Sequence, residues 1–104
     1  MERMMDLTEK DISNWLSTIT REKIIIDKHP RKRSRLRGLS EEILLEFLIE
    51  RRYKHIQKKV TGDVVKFEIT YDNPDKLVKE DIIIIIMPIN IPEKIIKVVT
   101  VIIE

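Results

Sequence analysis

The sequence predicts an α+β fold in which N-terminal helices pack on one face of an antiparallel sheet of four to five strands. Apolar residues recur at helical spacing in the first half of the 104-residue chain and alternate with polar residues in much of the second half. The chain also contains 20 Ile and no Ala, and isoleucine favours strands because its side chain is stiff at χ1. A chain of this length typically forms one domain, so we expect a single domain over residues 1–104.

Three regions make up the predicted domain. An N-terminal helix is expected within residues 1–20, a basic strand–helix–helix region over residues 21–60, and the antiparallel sheet over residues 61–104. The first helix begins at Thr8, because four apolar residues follow it at helical spacing: Ile12, Trp15, Leu16 and Ile19.

The basic region is predicted to contain one strand and two helices. Residues 23–28 have the composition of a short buried strand. Pro30 and Gly38 fit the first position of a helix of about two turns and the residue just after its end. Ser40 can cap the second helix, whose apolar face consists of Ile43, Leu44, Phe47 and Leu48.

Four more strands are predicted, at residues 53–60, 64–71, 82–87 and 95–103. Residues 61–63 form the hairpin turn between the first two of them. The unbroken apolar run at residues 82–87 is expected to be a central strand that is buried on both faces. At a sheet edge it would pair with a second copy, so a homodimer formed by strand addition or by sheet-face packing stays open.

Composition excludes several classes of protein. The absence of cysteine excludes disulfide scaffolds, zinc-thiolate sites and thiol nucleophiles. Two glycines are too few for the usual glycine-rich nucleotide loops, and two histidines leave only carboxylates for a metal site. The acids at residues 72–81 fit solvated turn carboxylates better than cation ligands. We therefore expect no metal and no cofactor.

The apolar runs are also too short for a membrane protein. A membrane helix needs about 20 apolar residues, and the longest run here, at residues 82–91, is interrupted by proline and asparagine. The N-terminus lacks the apolar core of a signal peptide. We expect a cytoplasmic protein with no membrane partner, and the heavy use of Lys, Glu, Arg and Ile is typical of hyperthermophiles.

Positive charge is concentrated in the middle of the chain. Residues 21–66 hold 14 basic and 7 acidic side chains, whereas the segments before and after them carry net charges of −2 and −3. Six cations and no acid lie within residues 28–37, and a phosphate backbone would relieve their mutual repulsion. A solvated basic face, or one that pairs with acids elsewhere, is the alternative. The nucleic-acid contacts predicted here are Lys28, Arg31, Lys32 and Arg35.

The same segment contains a candidate catalytic group. His29, Arg33 and Arg37 are spaced four apart and share one face if the segment is helical from Pro30. An imidazole moves protons near neutral pH, and two guanidiniums stabilise the pentacovalent phosphate that forms when an RNA 2′-hydroxyl attacks its own phosphodiester. That reaction needs no metal. The alternative is that His29 caps the helix and the arginines bind phosphate without chemistry.

A second basic group contains two further aromatic rings. Its members are predicted nucleic-acid contacts: Arg51, Arg52, Tyr53, Lys54 and His55. Strand alternation predicts Tyr53 and His55 on one face and Lys54 on the other. Tyr53 can stack on a base or be a half-buried sheet residue, and His55 is a second candidate acid or base.

Residues 24–43, I-I-I-D-K-H-P-R-K-R-S-R-L-R-G-L-S-E-E-I, are similar to a small uncharacterised domain family of bacteria, archaea and phages. The shared motif is H-x3-R-x3-R-G-[IL]-S, followed by a sheet whose late strand is similar to residues 98–101, V-V-T-V. The layout resembles the RelE and BrnT toxins, which are messenger-RNA endonucleases. Over about residues 23–103, the resemblance implies functional roles at the matching positions His29, Arg33, Arg37, Gly38 and Thr100.

Three functions stay open on this evidence. The first is an RNA-directed RelE/BrnT-like toxin-type protein that acts as a metal-independent endoribonuclease and is covered by an acidic antitoxin. The second is a nucleic-acid-binding module without catalysis. The third is a structural or protein-interaction domain that forms a homodimer.

Overall fold

The computed structural model describes residues 3–26, 40–75 and 77–104. Within them, helix α1 spans Glu9–Thr18 and helix α2 spans Glu41–Glu50. The strands are β1 (Ile24–Ile26), β2 (His55–Thr61), β3 (Val64–Tyr71), β4 (Ile82–Asn90) and β5 (Ile95–Ile103). Two short 3-10 turns, Met4–Asp6 and Arg21–Lys23, precede α1 and β1.

α1 begins directly after Thr8, the predicted start of the first helix, and α2 begins after its predicted cap, Ser40. The Thr8 hydroxyl accepts a hydrogen bond from the Asp11 N–H at 3.2 Å, and the Asp11 carboxylate accepts one from the Thr8 N–H at 2.8 Å. This reciprocal pair satisfies two backbone donors at the start of α1. Ser40 caps α2 in the simpler way, since its hydroxyl accepts from the Ile43 N–H at 3.3 Å. The helix predicted within residues 30–37 lies outside the described residues.

The five strands form one mixed sheet in the order β1-β5-β4-β3-β2. β2 to β5 form the predicted antiparallel meander. β1, however, pairs with β5 in parallel, with Ile24 opposite Ile96 and Ile26 opposite Val98. The prediction of a purely antiparallel sheet is therefore wrong for its first strand. Alternation of apolar residues indicates which face of a strand is buried, but it does not indicate the direction of the neighbouring strand. The long stretch of chain between β1 and β5 permits either direction.

The apolar strand β4 lies in the middle of the sheet, as predicted, but only one of its faces is fully buried. Ile82, Ile84 and Ile86 are at most 2% exposed, whereas Ile83 and Ile85 are half-buried. The prediction of burial on both faces is wrong because the described helices cover one face only. Their apolar residues form a single core with that face: Ile12, Trp15, Leu16, Leu44, Leu45, Phe47 and Leu48. We call the opposite side the open face.

Chain direction gives the sheet two distinct ends. Tyr71 ends β3 opposite Ile82, the first residue of β4, and Ile82 in turn lies opposite Ile103 near the end of β5. The chain also enters β2 here, since His55 lies opposite Thr70. We call this the Tyr71 end. No helix in the described segments is long and apolar enough to cross a membrane.

Two tight turns close the other end of the sheet. Gly62 occupies the first position of the two-residue β2–β3 turn with φ +61°, which favours glycine and fits a type II′ hairpin. The β4–β5 turn ends at Lys94, whose φ of +56° is unusual for a residue with a side chain. Lys94 therefore lies at the opposite end of the sheet from Tyr71.

Neighbouring isoleucines of β4 test this one-sided burial. Ile84→Ala leaves a cavity in the core and should lower the free energy of unfolding by about 2–5 kcal/mol. Ile85→Ala removes the same atoms from the open face and should cost less than half as much. Urea denaturation of both variants at low protein concentration measures the difference. Equal losses would contradict the assignment of the open face.

Candidate functional site

The predicted catalytic residues His29, Arg33 and Arg37 lie outside the described residues. So do four predicted contacts and the motif glycine: Lys28, Arg31, Lys32, Arg35 and Gly38. The second predicted group, residues 51–55, is described in full. Thr100, which the resemblance singles out, lies opposite Ile85 on the open face in the middle of the sheet.

Residues 51–54 link the end of α2 to the start of β2. The strand predicted from Tyr53 begins two residues later, at His55, so the predicted alternation of Tyr53 and Lys54 across a sheet is wrong. Tyr53 makes a tertiary contact instead: its hydroxyl lies 2.7 Å from Ser13 Oγ on α1. Tyr53 is therefore tied to the helix layer, and the residue remains 36% exposed.

A cleft of about 430 Å³ opens at the Tyr71 end, between α1, α2 and this link. We call it the Tyr71 cleft. The side chains that define it are Ser13, Leu16, Leu48, Arg52, Tyr53 and Tyr71. Apolar walls with a few polar groups are the usual composition of a small-ligand site.

Tyr71 brings a buried hydroxyl to the cleft. The residue is 1% exposed, and its ring packs edge-on against Phe47 with the ring centroids 5.1 Å apart. Within the described part of the chain, its hydroxyl has no hydrogen-bond partner. Burial, with a smaller contribution from Tyr53, raises the pKa of Tyr71 above its ordinary value, so this phenol stays a neutral donor. An unpaired buried hydroxyl costs about 1–3 kcal/mol, which a ligand acceptor would recover.

The two arginines at the cleft differ in how they are held. The Arg51 guanidinium lies 5.2 Å from the centre of the Phe47 ring and 3.5 Å from the Glu46 carboxylate. Arg52 is exposed and has no carboxylate partner among the described residues. Arg52 is consequently the guanidinium whose donors are available to a bound anion.

Lys54 is occupied by two carboxylates. Its ammonium lies 3.1 Å from Asp81 and 3.3 Å from Asp72, and hydrogen bonds to Asp81 and then Asp72 raise the pKa of Lys54. Two of the turn acids are thus paired with a lysine. The described segments contain no group of three or more His, Asp or Glu side chains arranged to hold a metal.

His55 does not line the Tyr71 cleft. It borders a neighbouring groove with Glu9 and Lys10, and Ser13 and Tyr53 line both. The pKa of Glu9 is lowered, first by its own backbone N–H and then by the Lys58 N–H, with His55 a minor contributor. Of the five residues predicted at positions 51–55, the structure brings Arg51, Arg52 and Tyr53 to the cleft.

Sequence reasoning did not single out Tyr71 or Ser13. Alternation along β3 placed Tyr71 on the buried face with Val65, Phe67 and Ile69, and that prediction is confirmed. One property of the sequence could have identified Tyr71: it is the one member of this buried series that carries a hydroxyl. Nothing in the sequence paired Ser13 with Tyr53, because the contact joins residues 40 positions apart.

Tyr71→Phe tests whether the hydroxyl is unpaired. Removing it should leave the free energy of unfolding unchanged near neutral pH, or raise it by up to about 1 kcal/mol. Above pH 10, the ordinary pKa of tyrosine, the unfolded chain loses this proton while folded Tyr71 keeps it, so wild-type stability should fall as pH rises. Urea denaturation at about pH 8 and about pH 11 should show a smaller alkaline loss in Tyr71→Phe. The same alkaline loss of stability in wild type and Tyr71→Phe would contradict the assignment of Tyr71 as a buried, protonated phenol.

No protein-family model, curated protein or solved structure matches this chain. The resemblance of residues 24–43 to the small domain family with a RelE-like layout stays a prediction from its motif.

Proposed function

We propose that this protein binds nucleic acid, with RNA as its expected target, and that the Tyr71 cleft is one of its contact sites. One observation carries the proposal: an exposed tyrosine, Tyr53, lines the same cleft as Arg52, a guanidinium without a carboxylate partner among the described residues. An aromatic face stacks on a base, and an arginine fork binds phosphate. Single-stranded nucleic acid presents both groups at every nucleotide.

Charge distribution along the chain supports the same target. The cleft residues belong to the segment 21–66, which has 14 basic and 7 acidic side chains. The densest part of it, residues 28–37, precedes the Ser40 cap of α2 in sequence. Opposing acids do not balance this segment locally, and release of counterions from a phosphate backbone favours its binding.

We propose a RelE/BrnT-like fold and toxin-type function as the finer form of this assignment. Its support is the H-x3-R-x3-R-G-[IL]-S motif together with helices on one face of a largely antiparallel sheet. In this form His29 is the general acid or base, Arg33 and Arg37 stabilise the phosphate, and an acidic antitoxin covers the basic surface. Tyr53 and Arg52 then hold RNA beside the reacting nucleotide.

A second candidate function is self-association, and the open face favours it. Ile83, Ile85 and Met87 form a half-buried apolar row along β4. Because β4 is paired on both sides, a homodimer cannot form by strand addition to this run and would use sheet-face packing. Ile85→Lys should abolish such a dimer, which sedimentation velocity over a range of concentrations measures. The same variant should leave RNA affinity unchanged, so it separates self-association from RNA binding.

Arg52→Gln tests the contact with phosphate. Loss of one charge-assisted contact should weaken binding of a short single-stranded RNA by roughly tenfold and reduce the slope of log affinity against log salt by about 0.7. Fluorescence anisotropy at about 50 to 200 mM salt measures both quantities.

The matched control is Lys94→Asn. It removes one positive charge at the far end of the sheet and places there a residue that tolerates the positive φ. Its affinity should remain within about twofold of the wild type, because the contact and not net charge is what Arg52 provides. Equal weakening in both variants would show a diffuse charge effect and contradict the contact.

Catalysis is tested by incubating a mixed RNA pool, without divalent metal, with wild type and His29→Ala in parallel. Fragments from the wild type alone are expected, because His29 is the proposed proton donor or acceptor. RNA binding by His29→Ala should stay within a few-fold of the wild type. Intact RNA with both proteins would count against a free-standing nuclease and leave the binding module.

A further inference from the structure

We infer that the Tyr71 cleft takes up a single unpaired nucleobase, so that the protein prefers single strands to duplexes. This inference rests on the proposed function and names the form of nucleic acid that the cleft recognises. The cleft is large enough for a base, since its volume of about 430 Å³ lies within the range of small-ligand pockets and exceeds the volume of a base.

The inner end of the cleft suits a neutral, flat group with an acceptor atom. Leu16 and Leu48 provide apolar walls. The two charged residues among the described lining residues, Arg51 and Arg52, are both exposed. Tyr71 is 1% exposed, and its hydroxyl, which has no hydrogen-bond partner among the described residues, is a polar group at this end. A carbonyl oxygen or ring nitrogen of a base is the kind of acceptor that would satisfy it.

The mouth of the cleft has the opposite character. Arg52 brings an exposed positive charge, and Tyr53 brings an aromatic ring held by Ser13. A ligand that is neutral and flat at one end and anionic at the other matches this gradient from inside to outside. A nucleotide within a strand has that form, with its base inward and its phosphate on Arg52.

Base pairing excludes this mode of binding. A base within a duplex is stacked on both sides, and its acceptors on the pairing edge are already occupied. It can reach the Tyr71 hydroxyl only after leaving the stack. A duplex can therefore contact Arg52 at the surface but cannot fill the cleft.

The experiment compares a labelled single-stranded RNA with the duplex of the same sequence, at one salt concentration, for wild type and Tyr71→Phe. Wild type should bind the single strand at least tenfold more tightly, on the order expected for one sequestered, stacked base. Tyr71→Phe should weaken single-strand binding by roughly fivefold and leave duplex binding unchanged. The variant keeps the ring that packs on Phe47, so the fold should persist.

A second comparison needs no variant and uses strands whose bases are replaced by abasic sites. Such a strand keeps its phosphates but should lose the single-strand preference. Equal binding of single strand, duplex and abasic strand, with Tyr71→Phe unchanged, would overturn the inference and leave the proposed function standing. No binding of any nucleic acid at low salt would overturn the proposed function itself.

Discussion

Both described helices, of ten residues each, pack on the same face of the five-stranded sheet. This one-sided packing determines how the described part of the chain is arranged. The face beneath the helices is a fully packed core, whereas the open face keeps an apolar row along β4. It also determines where the cleft forms, because the chain has to pass from the helix layer back to the sheet through residues 51–54.

A line of three side chains connects that core to the site. Phe47 is fully buried, Tyr71 packs edge-on against it, and the Arg51 guanidinium lies over its ring. The position of the buried hydroxyl and that of one cleft arginine both depend on the same ring. Adjacent arginines are held differently in this way: Arg51 packs on Phe47, and Arg52 stays exposed at the cleft.

Much of the fold could be predicted from the sequence because it depends on local signals. The start of α1 at Thr8, the Ser40 cap of α2, the half-buried strand β3 and the position of β5 depend on neighbouring residues, and each is confirmed. The parallel pairing of β1 with β5 could not be predicted, because both strands have the same apolar pattern in either direction. The direction of β1 relative to β5 depends on where the chain between these two strands leaves the sheet and returns to it.

The described site was predicted in part for the same reason. Charge and aromatic content pointed to residues 51–55, but contacts made in the fold distinguish these residues from one another. Ser13 holds Tyr53, Asp72 and Asp81 hold Lys54, and Phe47 holds Arg51. Residues of one charge in a row look equivalent in sequence and become distinct only when the fold supplies their partners.

The parallel strand at the sheet edge also constrains how the chain acquires its structure. β1 is made before the other described strands, and its pairing partner β5 is made after them. Ile24 and Ile26, both buried in the folded domain, stay without that partner until β5 has emerged from the ribosome. Such a contact between distant segments slows folding. The first strand of the sheet consequently stays unpaired while β2 to β4 are made, and the domain closes only when β5 arrives.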